Sequence, residues 1–275
     1  MGDAVVGTGR DAIRTSAPRR PELLFARLFV AIVLVYLFAP VVVTVLFSFT
    51  TSPRLSLPIE GLTVNWYANA FSNPLFGRAL GNTILLAVVT ALGAGALGVL
   101  FSFGLVVLRG RVRGILLTAS LVPAVIPVLV LGIALAVFCN SIGLAQGIRN
   151  AAIGHILVAL PFVILTMNAR LETFDFTTLE AARDLGASPW QTFRDVTFPL
   201  IRPSVMGAGL LAMALSLDEF VVTWFNVGTE QTLPVVIWGL LRRGINPSIN
   251  ALATVVLVSL IVLVVLSNYL NRRKV

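Results

Sequence analysis

Two neighbouring carboxylates, Asp218 and Glu219, lie within an apolar run and are the side chains best suited to binding a ligand. A carboxylate inside a hydrocarbon layer costs about 2.5 to 3.5 kcal/mol on insertion scales, so it usually faces a polar cavity or a partner. Adjacent helical residues point about 100° apart, so one of the two carboxylates faces the pathway, with Asp218 the first candidate; it could neutralise a cation that crosses the layer, and Trp224 could add a cation–π contact. The sequence therefore predicts a substrate pathway at Asp218, Glu219 and Trp224. The alternatives are a structural pairing of the carboxylates with arginine or backbone donors, and an interface role for Trp224.

Residues for catalysis or metal binding form no recognisable group. His155 could relay protons, but an isolated intramembrane histidine is more often a hydrogen-bonded structural residue. Cys139 is the single cysteine, so it can form no internal disulfide and has no companion for a metal site. The chain lacks a G-x-x-x-x-G-K-[ST] sequence, so nucleotide must bind to another polypeptide. We therefore expect no catalytic residue, no metal and no cofactor in this chain, and a membrane hydrolase is disfavoured.

The elements that must position these residues are membrane-spanning helices. Of the 275 residues, 57% are hydrophobic and 12% are charged, and the mean hydropathy is +0.96, which is typical of an integral membrane protein. Continuous apolar runs of about 20 residues satisfy their backbone hydrogen bonds as helices, whereas a barrel would show shorter alternating segments. We predict an all-α membrane protein with six spans. They cover residues 24–49, 80–108, 115–138, 151–167, 204–225 and 251–270.

The positions of the cations predict the orientation of the chain. Most of the 20 Lys and Arg residues precede the first span, follow the sixth, or lie between spans two and three or four and five. Cations concentrate on the cytoplasmic side, so both termini are predicted to face the cytoplasm. Residues 1–22 should form a flexible basic tail, 23–270 the transmembrane domain and 271–275 a C-terminal tail. Topology and anionic headgroups account for the net charge of +8, so no nucleic-acid partner is expected.

Small residues and prolines should modify individual spans. Gly93, Gly95 and Gly98 predict close contact between the second span and a neighbouring helix. Pro123 and Pro127 lie in the third span, and each removes a backbone donor. We therefore expect the third span to bend.

The longest polar stretch between two spans covers residues 179–199. Thr177 lies three residues before Glu180, a spacing that lets the hydroxyl and the carboxylate cap the first turn of a helix reciprocally. Gly186 follows, and glycine most easily adopts the left-handed conformation that ends a helix. The pattern predicts a short helix from Thr177 to just before Gly186.

A second helix signal follows directly. Ser188 is a natural N-cap, Pro189 suits the first helical position, and Gln191 completes a second capping box. We expect Pro199 to stop this helix. Two short helices joined at a Gly-Ala corner would form an exposed unit suited to docking on a soluble partner, with an amphipathic loop on the headgroups as the alternative.

The order of residues in this stretch resembles the EAA loop of ABC importer permeases. Three residues separate Glu-Ala-Ala from Gly-Ala, five separate Gly-Ala from phenylalanine, and two separate phenylalanine from Val-x-Phe-Pro. The family usually has isoleucine and leucine in place of Val196 and Phe198. The loop, residues 170–202, would bind the ATPase. The residues that the resemblance assigns to this coupling are Glu180, Ala181, Ala182, Gly186, Ala187, Phe193 and Pro199.

The resemblance implies a permease subunit of a type I ABC importer that forms half of a pathway working by alternating access. It implies an ATPase dimer that binds ATP and Mg, a second permease and an extracytoplasmic solute-binding protein. Residues 216–228 and 233–254 resemble the spermidine and putrescine branch, which implies a polyamine substrate and a different chain as second permease. The alternatives are a permease for an opine, an aminophosphonate or ferric iron, or a gradient-driven transporter that uses Asp218 or Glu219 as its coupling carboxylate.

Overall fold

The regular structure of the chain is helical wherever the computed structural model describes it, which is residues 20–53, 58–243 and 247–272. The predicted tails, 1–22 and 271–275, fall largely outside these ranges, although the first helix already begins at Arg20. The helices are α1 (Arg20–Phe47), α2 (Asn65–Ser72), α3 (Pro74–Val107), α4 (Gly110–Ser120), α5 (Val122–Val125), α6 (Val128–Ser141), α7 (Ile148–Glu172), α8 (Thr177–Asp184), α9 (Pro189–Thr192), α10 (Phe198–Asp218), α11 (Val221–Asn226), α12 (Leu233–Arg243) and α13 (Pro247–Arg272).

Four segments of the described chain are long and apolar enough to cross a membrane. They are Leu24–Phe47, Pro74–Val107, Ile148–Glu172 and Pro189–Asp218, and they match the first, second, fourth and fifth predicted spans. Helix α13 covers the sixth predicted span. The structure therefore places a helix at each of these five predicted positions.

The third predicted span is not one continuous helix. Helices α4, α5 and α6 occupy it in succession, with Pro123 in the short α5 and Pro127 as the N-cap residue of α6. Each proline lacks the backbone donor that an uninterrupted helix requires, so the expected bend is a full interruption. Within the third predicted span, the longest apolar helix is α6, which has 14 residues.

The centre of the bundle is the contact among α3, α7 and α10. Their shared core contains Ala94, Val163 and Ala208, all nearly inaccessible to solvent. A Cβ atom at Gly98 would lie 2.5 Å from Cγ1 of Val163, and one at Gly93 would lie 2.5 Å from Cδ1 of Ile156. These two glycines allow the close approach of α3 and α7 that the sequence predicts. Gly95 has no such neighbour, so the prediction is not met there.

A second packing unit joins α12 to α3 and α13. Leu233 and Val236 of α12 are buried against Ala79 of α3 and Leu252 of α13. The span prediction left out α12 because its 11 residues are too few to cross a membrane and it ends in two arginines. This short helix lies beside the end of α10, where the predicted pathway residues are found.

Candidate functional site

The first turn of α8 is capped by Asp175 rather than by the predicted pair. The backbone N–H of Thr177 donates to Oδ1 of Asp175 at 3.0 Å, and the Thr177 hydroxyl donates to the same atom at 2.7 Å. The predicted box of Thr177 and Glu180 is therefore wrong, because a nearer acceptor takes both donors of Thr177. These two hydrogen bonds, led by the one from the hydroxyl, lower the pKa of the Asp175 carboxyl.

The corner at Gly186 has the conformation that the sequence predicts. Gly186 has φ of +88°, and its N–H donates to the carbonyl of Arg183 at 2.9 Å. The next residue, Ala187, donates to the carbonyl of Ala182 at 3.1 Å, so the last carbonyls of α8 are satisfied. A residue with a side chain is strained at this φ, which makes glycine the natural residue at the turn between α8 and α9.

The second capping box is present, but the helix does not stop at Pro199. The Gln191 N–H donates to the Ser188 hydroxyl at 3.3 Å, and the Ser188 N–H donates to Oε1 of Gln191 at 2.8 Å. After α9 the chain continues as a π-helical turn, Phe193–Thr197, in which the N–H of Phe198 bonds to the carbonyl of Phe193. Pro199 then lies in the first turn of α10, where a missing N–H is tolerated, so the predicted stop is wrong.

The helical loop (residues 170–202) exposes apolar side chains and an unpaired carboxylate. Leu185 is 90% exposed and Trp190 is 65% exposed. The Glu180 side chain is exposed, and its carboxylate makes no hydrogen bond or ion pair with any described residue. Ala181 is also exposed, and a small side chain here allows another protein to approach the backbone closely. This surface has the mixture of apolar and charged groups expected of a docking site.

Ring contacts connect the exposed loop to the bundle. Trp190 stacks on Phe193 with ring centroids 5.8 Å apart, and Phe193 contacts Phe103 of α3 at 6.5 Å and Phe198 of α10 at 6.2 Å. The sequence identifies Phe193 but misses Phe103, because 90 residues separate them and no local pattern links them. The rings therefore form a continuous contact from α9 to α3 and α10.

The predicted pathway residues lie at a helix end and not inside the fifth span. Helix α10 begins at Phe198 instead of near residue 204 and ends at Asp218, while Glu219 has extended backbone angles. Asp218 is thus about 30 Å along the axis from Phe198, whereas a helix that began near residue 204 would place it roughly 21 Å from that end. The chain then resumes as α11. The sequence missed this interruption because residues 219–221 contain neither glycine nor proline.

The two carboxylates have different surroundings. Oε1 of Glu219 accepts the N–H of Val222 at 2.9 Å, so this side chain caps the first turn of α11. Asp218 is exposed, has no hydrogen-bond or ion-pair partner among the described residues, and lines a cavity of about 290 Å³. Phe220 of the interruption and Trp238 of α12 line the same cavity. Asp218 is therefore the carboxylate available to a ligand, and Glu219 has the structural role.

Three aromatic side chains lie together beside this cavity. Phe220 contacts Trp224 with ring centroids 5.7 Å apart and Trp238 at 5.3 Å. The guanidinium carbon of Arg242 lies 5.8 Å from the Trp224 ring centroid and 5.3 Å from that of Trp238. In the structure the cation beside Trp224 is an arginine of this chain, and the predicted contact of Trp224 with a substrate cation stays a prediction. Sequence reasoning missed Trp238, although the i, i+4 spacing of Trp238 and Arg242 on one helix face is a usable signal.

His155 connects three helices through buried hydrogen bonds. Its Nε2 lies 2.7 Å from the Thr223 hydroxyl of α11, and its Nδ1 lies 2.7 Å from the Ser216 hydroxyl of α10. Thr223 gives its hydroxyl proton to the Glu219 carbonyl, so Nε2 must donate and Nδ1 must accept from Ser216. Both ring nitrogens are occupied, and His155 positions the interruption between α10 and α11.

Replacement of His155 by alanine should lower the thermal stability of the protein. The buried Ser216 hydroxyl would lose its imidazole partner, which costs about 1 to 3 kcal/mol for an unsatisfied group, and the Thr223 hydroxyl would keep only its bond to the Glu219 carbonyl. We expect the unfolding midpoint in detergent to fall by several degrees. Thr166→Ala is the matched control, because it removes a hydroxyl that bonds only within its own helix at an exposed position. Equal midpoints for the two variants would contradict the positioning role.

Comparison with known sequences finds one family and a consistent set of relatives. Residues 94–275 match the family described as binding-protein-dependent transport system inner membrane component. The spermidine/putrescine transport system permease protein PotC of Escherichia coli (strain K12) is 33% identical over 247 residues, which is 90% of this chain and 93% of PotC. The putrescine transport system permease protein PotI of the same organism is 34% identical over 231 residues, which is 81% of this chain and 82% of PotI.

Solved structures share the fold at low sequence identity. A bacterial ABC transporter involved in the import of the acidic polysaccharide alginate matches with a TM-score of 0.69 and 18% identity, over 93% of this chain and 99% of that one. The methionine ABC transporter MetNI, in an inward-facing conformation, matches with a TM-score of 0.59 and 20% identity, over 73% of this chain and 94% of that one. The predicted type I importer permease fold is confirmed.

Proposed function

The chain belongs to the family of binding-protein-dependent transport system inner membrane components, and on that premise we propose that it is the permease subunit of an ATP-driven importer of polyamines such as spermidine and putrescine. It forms half of a translocation pathway that works by alternating access. The observation that carries the substrate assignment is the cavity at the end of α10, where Asp218 has no partner among the described residues and aromatic rings lie beside it.

A protonated polyamine fits this cavity in charge and in surface. An ammonium that leaves water needs a countercharge, and Asp218 supplies one that no described basic group already neutralises. The methylene segments between ammonium groups can lie on Phe220 and Trp238, and ring faces attract the ammonium groups themselves. The similarity to permeases whose names specify spermidine and putrescine points to the same substrates.

The energy for transport enters at the helical loop. We propose that α8 and α9 dock on an ATPase subunit, which alone binds ATP and Mg, so that this chain itself catalyses no reaction. Glu180 is exposed without a partner and can meet a basic group of the ATPase, while Gly186 sets the angle between the two short helices. The rings of Trp190, Phe193 and Phe103 then transmit movement of the ATPase to the bundle.

This assignment fixes the orientation and the partners that we propose. The helical loop and both termini face the cytoplasm, and the cavity at Asp218 lies toward the opposite side of the inner membrane. A solute-binding protein delivers substrate there, and a second permease, a different chain, completes the pathway. Membership of the family argues against a gradient-driven carrier. Permeases for an opine, an aminophosphonate or ferric iron would share this fold, so transport measurements distinguish these substrates from a polyamine.

Reconstitution tests the proposal. The chain is co-expressed with the neighbouring permease, ATPase and binding-protein genes, purified through a tag on this chain, and placed in liposomes with labelled spermidine. We expect the ATPase to copurify and uptake to require ATP and the binding protein. Labelled ferric iron, an opine and an aminophosphonate serve as competing substrates. Uptake by the isolated chain under an ion gradient, or import of one of the other solutes in place of spermidine, would contradict the proposal.

A further inference from the structure

The guanidinium of Arg242 lies where a ligand cation would be expected to bind. It is placed over two indole rings, those of Trp224 and Trp238, which belong to different helices. It forms no ion pair with any carboxylate in the described part of the chain. Arg242 is exposed, and the contacts that the described residues make with its charge are those of the two ring faces, the kind of surface that binds ammonium ligands.

Asp218 and Arg242 are both close to Trp238 but form no ion pair with each other. Trp238 lines the cavity of Asp218 and also lies under the Arg242 guanidinium. Asp218 has no partner within the described residues, although an arginine is held by a ring that borders the same cavity. The site thus presents an unpaired carboxylate beside ring faces that already carry a cation.

The helix geometry keeps Arg242 within reach of the rings. Pro234, Trp238 and Leu241 line the cavity, and Arg242 lies one turn after Trp238, so this face of α12 points toward the end of α10. Arginine has a long side chain with several rotatable bonds, so it can leave the rings without any movement of the helix. An arriving ammonium can therefore exchange with it locally.

We propose that Arg242 is a tethered competitor for the cation site formed by Trp224 and Trp238, which a substrate ammonium must displace before the substrate can bind to both the rings and Asp218. The proposal rests on the proposed function, since it requires a cationic substrate. Displacement favours a substrate with two ammonium groups, because one can bind Asp218 while the other replaces the guanidinium. A monoamine can satisfy only one of these positions.

A direct binding measurement separates this role from a structural one. Labelled spermidine is titrated into the purified permease–ATPase complex in the absence of the binding protein. We expect Arg242→Gln to lower the dissociation constant about three- to tenfold, because the competing cation is gone. Arg242→Lys, which keeps a positive charge, should stay near the wild-type value. Removal of a purely structural arginine would weaken binding. The direction of the change in the dissociation constant therefore distinguishes a competitor from a structural residue.

Two controls complete the experiment. Arg78→Gln removes the same charge at an exposed position of α3, away from the aromatic rings, and should leave binding unchanged. Trp238→Leu combined with Arg242→Gln should remove the gain, because the ring face is lost. Unchanged or weaker binding by Arg242→Gln, while Asp218→Asn still impairs uptake, overturns the competitor role and leaves the proposed function standing. A wild-type complex that neither binds nor imports spermidine overturns both.

Discussion

Replacement of Gly186 by valine should reduce ATP-driven spermidine uptake by about tenfold or more while the protein still inserts into the membrane. Gly186 has φ of +88°, a conformation that costs an L-residue roughly 1 to 2 kcal/mol, and more when the side chain is β-branched. The corner would relax toward ordinary angles and rotate α8 relative to α9. Because both helices form the proposed ATPase surface, uptake and copurification of the ATPase should fall together.

Gly186→Asn is the matched control for this experiment. Asparagine tolerates the left-handed conformation far better than valine does, although both variants replace glycine with a larger residue. We expect the asparagine variant to keep most of the uptake and to retain the ATPase. Equal loss in both variants would mean that the absence of a side chain, and not the left-handed backbone, is what the corner requires. Full activity of the valine variant would exclude the corner from coupling.

Asp218→Asn should lower spermidine uptake by about tenfold without changing the yield of assembled complex. The substitution keeps the shape of the side chain and removes the charge, and hydrogen bonds to charged groups are stronger than neutral ones by roughly 1 to 1.5 kcal/mol. Asp218 makes no contact that the described fold depends on, so assembly should not suffer. Initial rates of labelled spermidine uptake in proteoliposomes, normalised to purified complex, provide the measurement.

Glu219→Gln is the comparison that isolates the pathway carboxylate. Glutamine keeps an oxygen that accepts the N–H of Val222, so the cap of α11 survives and uptake should change little. Glu219→Ala removes the cap and should lower stability by about 1 kcal/mol. A larger loss of uptake in Glu219→Gln than in Asp218→Asn would reverse the assignment. Unchanged uptake in both would reduce the pair to structural residues.

Local features of the fold could be predicted from the sequence, because neighbouring residues decide them. The corner at Gly186 and the cap at Ser188 depend on four or five consecutive residues, and both have the predicted geometry. The prediction for the first cap was wrong for a local reason too, since the Asp175 carboxylate accepts the Thr177 backbone N–H that the Glu180 carboxylate would take in a capping box. Long apolar runs likewise located the spans, because a backbone in hydrocarbon must satisfy its own hydrogen bonds.

The candidate site depended on contacts that no local pattern encodes. Asp218 was identified because a carboxylate in an apolar run is unusual, yet its position at a helix end was not visible in the sequence. Trp238 and Arg242 reach the site only because α12 packs on α3 and α13. His155 appeared isolated in the sequence, although its two hydroxyl partners follow 61 and 68 residues later.

The π-helical turn Phe193–Thr197 sets the rotational phase between the helical loop and the bundle. Its hydrogen bonds reach one residue further back than those of an α-helix, so the turn holds one residue more than an α-helical turn would. Deleting that residue would turn α9 by about 100° around the axis of α10 and shorten the connection by about 1.5 Å. Trp190 would then face a different side of the molecule. The orientation of α9 relative to α10 therefore depends on this single additional residue.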